Sequence, residues 1–227
     1  MKSEIQKFFK GEVEDDEETL VKYSHDASIF DVRPKLVVFP KDSEDVRNLV
    51  KWVTDNKTKY PELSITARCA GTDMSGGAIG ESIILDFTRH MNKLVQFPEQ
   101  NCRNCALGDE KTGDPHVSCN FAPGTCSITV QPGMFYRDFE KITLEKGLIL
   151  PCFTASKSIN AMGGMFGNNS AGERTLKYGK TEDYIMKTKI VFADGVERTV
   201  KPIPLNEISK QEEMYARIYD LIKKNEE

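Results

Sequence analysis

The segment Ala70-Gly71-Thr72-Asp73-Met74-Ser75-Gly76-Gly77 sets three glycines, two hydroxyls and one carboxylate close together. Glycine lets a backbone take positive φ and approach a ligand closely, so consecutive N–H groups can form an anion-binding nest. Thr72 and Ser75 add hydroxyl donors. Arg68 stands just before the loop, placed either to meet a phosphate or to pair with a neighbouring carboxylate. The usual phosphate motifs are excluded. A P-loop needs Gly-Lys-Ser/Thr, which is absent. A dinucleotide-binding glycine loop opens a helix, whereas this one runs into the apolar stretch 83–87, which reads as a strand. A pyrophosphate would therefore be held by loop amides alone. The plain alternative is an ordinary interstrand loop, and the local sequence supports both equally.

A second cluster, 161–172, reads Ala-Met-Gly-Gly-Met-Phe-Gly-Asn-Asn-Ser-Ala-Gly. Gly163-Gly164 would set a helix N-terminus close to a cofactor, with Asn168 and Asn169 as neutral donors. The alternative is a helix start whose glycines only permit tight packing. Two such segments, each beside a strand, favour a shared dinucleotide site more than either does singly.

Other reactive residues give less. Cys102, Cys105, Cys119 and Cys126 with His116 are candidate ligands for tetrahedral zinc. The first pair has zinc-finger spacing, but six residues separate the second pair where two to four are usual. No metal is assigned, and free thiols in a reducing compartment are expected. The spacing also matches neither common ferredoxin pattern. Cys152 reads as a small core residue. His25 and His90 stand beside no acid at a spacing that suggests a general base, and Trp52 falls on a helix as packing. No catalytic residue is assigned.

The elements that must position these loops follow from periodicity. Residues 35–40 contain LVVF, a buried strand stopped by Pro40. Asp42 caps a helix in which Val46, Leu49, Val50 and Val53 share one face. Alternation over 63–67 predicts a second strand, then the glycine loop and the third strand. Strands are also predicted at 128–131 and 148–151, and a helix at 136–146 ending at Gly147. Residues 186–200 read as a hairpin with Asp194-Gly195 in a type I′ turn. A final helix over 209–224 aligns Met214, Ile218, Leu221 and Ile222. The acidic run 12–18 reads as a solvated helix face or frayed tail.

Composition bounds the class. Hydrophobic residues make up 39 % of the 227 and charged residues 29 %, a globular balance that excludes disorder and a disulfide-dense scaffold. A net charge of -4 argues against nucleic acid as the main partner. No apolar run approaches the ~18 residues of a membrane span. The first twenty residues lack the apolar core of a signal peptide, so a cytoplasmic location is expected.

Tyr23-Ser-His-Asp-Ala-Ser28, Arg33-Pro34, Val37-Val38-Phe39-Pro40 and Arg68 with Gly71 through Gly77 resemble the FAD-linked oxidase family. So do Val130-Gln131-Pro132-Gly133, Gly147 through Pro151, Gly163-Gly164-Met165 with Asn168-Asn169, and Gly172. Tyr178-Gly179-Lys180-Thr181 with Asp183, and Ile190 through Gly195, complete the match, which is collinear over about residues 23–200. The branch it is most similar to holds the D-lactate and D-2-hydroxyglutarate dehydrogenase-like flavoproteins. The resemblance implies an α+β fold of the PCMH type: two α+β subdomains with FAD between them. The expected divisions are a helical, acidic lead-in at 1–29 and a small subdomain at 30–92. A larger mixed-sheet subdomain at 93–204 carries a cysteine-rich insert at 98–126, and a C-terminal helix occupies 205–227.

It further implies that the loop 71–77 holds the FAD pyrophosphate and that 156–172 lines the other side, near the ribityl chain and flavin. The cofactor-binding residues implied are Arg68, Cys69, Ala70, Gly71, Thr72, Asp73, Met74, Ser75 and Gly76, with Ser156, Gly163, Gly164, Asn168, Asn169, Gly172 and Tyr178. Members that tether FAD covalently use a histidine in this loop, and none is present, so non-covalent FAD is expected. Where the family reads Arg-Gly-x-Gly-Thr, Cys69 and Ala70 precede Gly71, and a side chain at 69 is unfavourable if that position needs positive φ.

The chain ends before the family's Gly-Ser-Glu-Gly-Thr-Leu-Gly-like segment and before the substrate-binding cap. It is therefore expected to be the N-terminal portion of a fold truncated at its C-terminal end. The implied parent passes a hydride from a D-2-hydroxy acid (D-lactate, D-2-hydroxyglutarate or glycolate) to FAD, with an iron–sulfur or other electron acceptor as partner, and this piece alone is expected to be inactive. The competing expectation is a non-catalytic interaction module that keeps the fold without flavin, with zinc on the cysteine-rich insert.

Overall fold

The computed structural model describes residues 1–96 and 127–225. The four cysteines of the expected zinc alternative, with His116, lie outside the described residues.

The first half is a four-stranded sheet. β2 (Leu36–Phe39) and β4 (Ile83–Asp86) are buried along their whole length, as parallel strands covered on both faces must be. β2 is followed by α3 (Ser43–Asn56), which crosses to β3 (Ile65–Arg68), and β4 returns between β2 and β3. Both pairings are parallel, with Val37 opposite Ile84 and Thr66 opposite Ile84. Asp42 caps α3 as expected, accepting from the Glu44 and Asp45 N–H groups at 2.9 and 3.0 Å. Val46, Leu49 and Val53 face the core together with Leu36, Val38, Ile83 and Leu85.

The N-terminus departs from expectation. After α1 (Lys2–Ile5), residues 12–14 of the acidic run form a strand, β1 (Glu12–Glu14), antiparallel to β2 on the sheet edge. Only residues 17–23 of this region form the helix α2 (Glu17–Tyr23). The reason is tertiary. Val13 is buried, and the fully buried Asp45 carboxylate accepts the backbone N–H groups of Lys10, Gly11 and Lys41 at 2.8, 3.1 and 2.9 Å. A buried carboxylate is tolerated when hydrogen bonds replace its water, and here they tie the segment down.

The second half has its own core of Met134, Tyr136, Phe139, Phe153 and Met165. It contains β5 (Leu94–Gln96) paired antiparallel with β6 (Thr129–Val130), then α4 (Tyr136–Leu144). The expected strand at 148–151 is absent. Leu148 N–H bonds the Thr143 carbonyl and Gly147 N–H the Leu144 carbonyl, a Schellman closure with Gly147 at φ +71°, and the Leu150 carbonyl accepts from the Tyr136 hydroxyl. Short helices α5 (Met162–Gly167) and α6 (Thr175–Tyr178) follow.

β7 (Thr188–Val191) and β8 (Glu197–Val200) form the expected hairpin, but not with a type I′ turn. That turn needs positive φ at both central residues, and only Gly195 has it, at +75°. Gly195 N–H bonds the Phe192 carbonyl and Phe192 N–H the Val196 carbonyl, the pattern of a type I turn closed by a glycine bulge. The hairpin tip rests on α3, where Thr54 Oγ1 donates to the Ala193 carbonyl at 2.6 Å. The described residues of the second half thus hold two separate two-stranded sheets, not one mixed sheet. The last helix, α7 (Glu213–Lys224), starts later than expected because 205–210 are a 3-10 turn. Ile218, Leu221 and Ile222 on its apolar face are exposed.

Candidate functional site

The glycine loop leaves the carboxyl end of β3, the end at which open α/β sheets bind ligands. Its shape needs glycine at two points, Gly71 (φ +66°) and Gly76 (φ +83°). Cys69 and Ala70 lie outside the left-handed region, so side chains there cause no backbone strain. The Gly71 carbonyl accepts the Ala27 N–H at 3.0 Å, and the Phe30 ring seats against Gly76.

Among the described residues, Arg68 does not form the expected carboxylate pair: its partners are a backbone carbonyl and a ring, and Asp86 acts on it through charge alone. Its guanidinium lies beneath the loop, donates to the Ala78 carbonyl at 3.2 Å and stacks 5.0 Å from the Tyr23 ring centre. Burial pushes its pKa down, offset in part by the charge of Asp86, and a guanidinium remains protonated. Asp86 is itself buried and accepts from the Tyr23 hydroxyl at 2.8 Å and from Thr88 Oγ1 at 2.6 Å. Tyr23 and Asp86 are thus supports of the loop that the sequence reading missed. Their signals in the sequence are the place of Tyr23 at the head of the first family motif and the acid Asp86 inside the apolar stretch 83–87.

The loop does accept an anion, and the anion is its own. Asp73 Oδ2 takes the Gly77 N–H at 2.6 Å and the Ser75 hydroxyl at 2.8 Å. The Ser75 hydroxyl first, then the Gly77 amide, hold the carboxyl below the usual carboxylate range, with the Ser75 and Met74 amides adding to this. Ser75, expected as a donor to a ligand, is therefore engaged within the loop.

The second segment meets the first through Pro132. Gly163 N–H donates to the Pro132 carbonyl at 2.7 Å, and the Cys69 thiol donates to the same carbonyl at 3.3 Å. Met162 N–H bonds the Met134 carbonyl. The first two amides of α5, those of Met162 and Gly163, are thus taken by the protein. What α5 presents is bare backbone. A Cβ on Gly164 would meet only Cys69, at 3.8 Å, and one on Gly167 would meet nothing within 4 Å.

The remaining expected residues serve their own segment. Gly172 packs on the backbone of Phe153, where a Cβ would come within 1.9 Å of the carbonyl oxygen. Asn169, at φ +43°, accepts the Glu182 N–H at 3.0 Å, and Asn168 ends α5. The Tyr178 carbonyl accepts from the Tyr184 hydroxyl, and Ser156 Oγ lies 3.0 Å from Thr154 Oγ1. Two histidines do find acids: His90 Nε2 contacts Glu12, and His25 lies 3.9 Å from Asp31, both pairs partly exposed. No metal-binding cluster occurs among the described residues.

A glycine loop that already cradles a carboxylate, facing an uncovered glycine backbone across Pro132, fits FAD: the amides suit its pyrophosphate and the bare backbone suits close approach of its larger parts.

Comparison with known proteins gives the same picture. The chain is 24 % identical over 203 residues to D-2-hydroxyglutarate dehydrogenase of Escherichia coli K12, covering 88 % of this chain and 17 % of that protein. It is 27 % identical over 175 residues to the glycolate oxidase subunit GlcD of Bacillus subtilis 168, covering 76 % and 31 %. The chain therefore spans less than a third of the length of either relative. Among solved structures, an alkyldihydroxyacetonephosphate synthase superposes with a TM-score of 0.63 at 21 % identity, over 88 % of this chain and 37 % of that one. The 6-hydroxy-D-nicotine oxidase of Arthrobacter nicotinovorans gives 0.59 at 21 %, over 85 % and 36 %. These neighbours share the α+β, PCMH-type FAD-binding fold. The family model described as FAD binding domain matches residues 34–106 and 119–201, both glycine-rich segments included, and with most of the chain so matched the protein belongs to the FAD-binding domain family.

Proposed function

We propose that this chain is the cofactor-holding part of a flavoprotein dehydrogenase or oxidase that oxidises a D-2-hydroxy acid of the lactate, 2-hydroxyglutarate or glycolate type. The observation that supports the reading is the Pro132 carbonyl, which accepts from both the Cys69 thiol and the Gly163 N–H and so holds the two glycine-rich segments side by side. The named relatives supply the substrate class. FAD, when bound, supplies the hydride acceptor for the carbon that bears the hydroxyl. The chain's own residues bind and orient. Loop amides from 71 to 77 meet the pyrophosphate, Arg68 holds the loop from below, and Gly164 and Gly167 let the cofactor lie close to backbone. No histidine of the loop is available for a covalent link, so retention is non-covalent. No residue of this chain is assigned to proton removal from the substrate or to recognition of its carboxylate, and the electron-accepting partner proposed is an iron–sulfur or other acceptor. The compartment proposed is the cytoplasm; among the described residues no helix is long and apolar enough to cross a membrane.

The test is an absorbance spectrum of the purified chain after incubation with FAD and desalting. Retained flavin bands near about 370 and 450 nm support the reading. Their loss on adding D-lactate, D-2-hydroxyglutarate or glycolate to the longer parent protein identifies the substrate. If neither the chain nor its parent retains flavin, the reading is wrong.

A further inference from the structure

The loop assigned above to the pyrophosphate contains an acid where charge alone would favour a base. Asp73 Oδ2 holds the Gly77 N–H at 2.6 Å and the Ser75 hydroxyl at 2.8 Å, closing the turn that brings Gly76 to φ +83°. A Cβ on Gly77 would lie 2.8 Å from the same carboxylate oxygen, so the acid sits directly on the loop backbone. Its partners here are a hydroxyl and backbone amides, all neutral. Shape and charge therefore act in opposite senses. The hydrogen bonds hold the loop in the curvature of an anion nest before any ligand arrives, which reduces the ordering cost of binding. The carboxylate belongs to the same loop that would meet a doubly charged pyrophosphate, and like charges repel.

We propose that Asp73 is a positioning residue whose hydrogen bonds preorganise the FAD loop while its charge holds the affinity below what the same loop would reach with a neutral acceptor. This rests on the reading of the loop as the pyrophosphate site. Asparagine separates the two effects, because its side-chain oxygen accepts the same bonds without the charge, whereas alanine removes both.

The experiment titrates FAD and, separately, riboflavin against wild type, Asp73→Asn and Asp73→Ala, following flavin fluorescence at low and high salt, with melting temperatures recorded for each. Asp73→Asn is expected to bind FAD about two- to fivefold more tightly than wild type at low salt, the difference closing at roughly 0.5 M salt. Asp73→Ala is expected to bind at least about fivefold more weakly than Asp73→Asn at both salt levels, because it removes both hydrogen bonds and a loss of only ~1 kcal/mol already gives that factor. Riboflavin, which lacks the phosphates, should show no gain with Asp73→Asn. Equal affinities for Asn and Ala variants overturn the brace, and FAD affinity no higher in Asn than in wild type overturns the charge effect. Absence of FAD uptake by both the wild-type chain and its longer parent overturns the flavin assignment itself, and this proposal with it.

Discussion

Gly164 faces Cys69 across the site: a Cβ built on Gly164 would stand 3.8 Å from the Cys69 Cβ and meet nothing else within 4 Å. Its neighbour Gly163 has the opposite surroundings. A Cβ there would fall 2.6 Å from Pro132 Cβ and 2.8 Å from the Pro132 carbonyl oxygen. One glycine exists to let the chain pack, and the next leaves a face uncovered.

Single substitutions should separate these roles. Gly163→Ala is expected to cost about 1–3 kcal/mol through overpacking against Pro132, read as a lower melting temperature. Gly164→Ala meets only ordinary contact and replaces a helical glycine, so stability should hold or rise by up to about 1 kcal/mol. FAD affinity should nonetheless fall in Gly164→Ala, because the added methyl projects into the site. A Gly164→Ala variant that melts as low as Gly163→Ala would remove the distinction.

Gly71 and Arg68 form a second separable pair. At φ +66°, alanine would incur roughly 1–2 kcal/mol of left-handed strain, and its Cβ would also fall 2.4 Å from Arg68 Nη2. The collision displaces the guanidinium from the Ala78 carbonyl. In an Arg68→Ala background only the backbone strain remains. Urea denaturation of the four proteins should therefore give a coupling of about 0.5–3 kcal/mol, with Gly71→Ala costing less when Arg68 is absent. Additive effects would show that Arg68 does not support the loop at Gly71.

Several of these relationships could be read from sequence and several could not, for physical reasons. β2, α3 and β4 were legible because LVVF and SIILDF are continuous apolar runs and Asp42 is a strong cap. The loop at 71–77 was legible because positive φ demands glycine locally. β1 was not, because one buried Val13 between two glutamates carries no period, and Asp45 fixes the strand from over thirty residues away. The strand at 148–151 failed because the backbone of Leu148 serves the end of α4 instead. In the site, composition named Ser75, Gly163 and Asn169, but it could not reveal which of their polar groups the protein would already use. Pro132, read as part of the motif Val130-Gln131-Pro132-Gly133, is the residue on which both segments meet.

The thiols of Cys69 and Cys152 should be inert in the folded protein. Burial pushes Cys69 up to about 12, with the charge of Asp86 adding to it, and burial pushes Cys152 up to about 11. At pH 8 the thiolate fractions are then on the order of 10⁻⁴ and 10⁻³, against about a quarter for a free cysteine. Alkylation with iodoacetamide, mapped by peptide mass spectrometry, should label these two at least about a hundredfold more slowly than a free thiol, and promptly in urea. Fast labelling of Cys69 without denaturant would mean that the junction with Pro132 opens readily.

The edge strand should carry a measurable acid dependence through Glu12. Partial burial raises its pKa, but the His90 contact and the charges of His90 and Arg89 outweigh this, and the net shift is downward. A carboxyl whose folded value lies below its unfolded value contributes stability above the unfolded pKa, about 4.3, and loses it as pH falls through the folded value. Glu12 is partly exposed, so solvent screening limits the contribution to less than about 1 kcal/mol. Glu12→Gln should therefore be slightly less stable than wild type near neutrality, and the two should converge below about pH 4. Chemical denaturation across pH 7 to 3 measures this directly. A gap that persists undiminished at pH 3 would mean that the difference at residue 12 does not arise from the charge of Glu12.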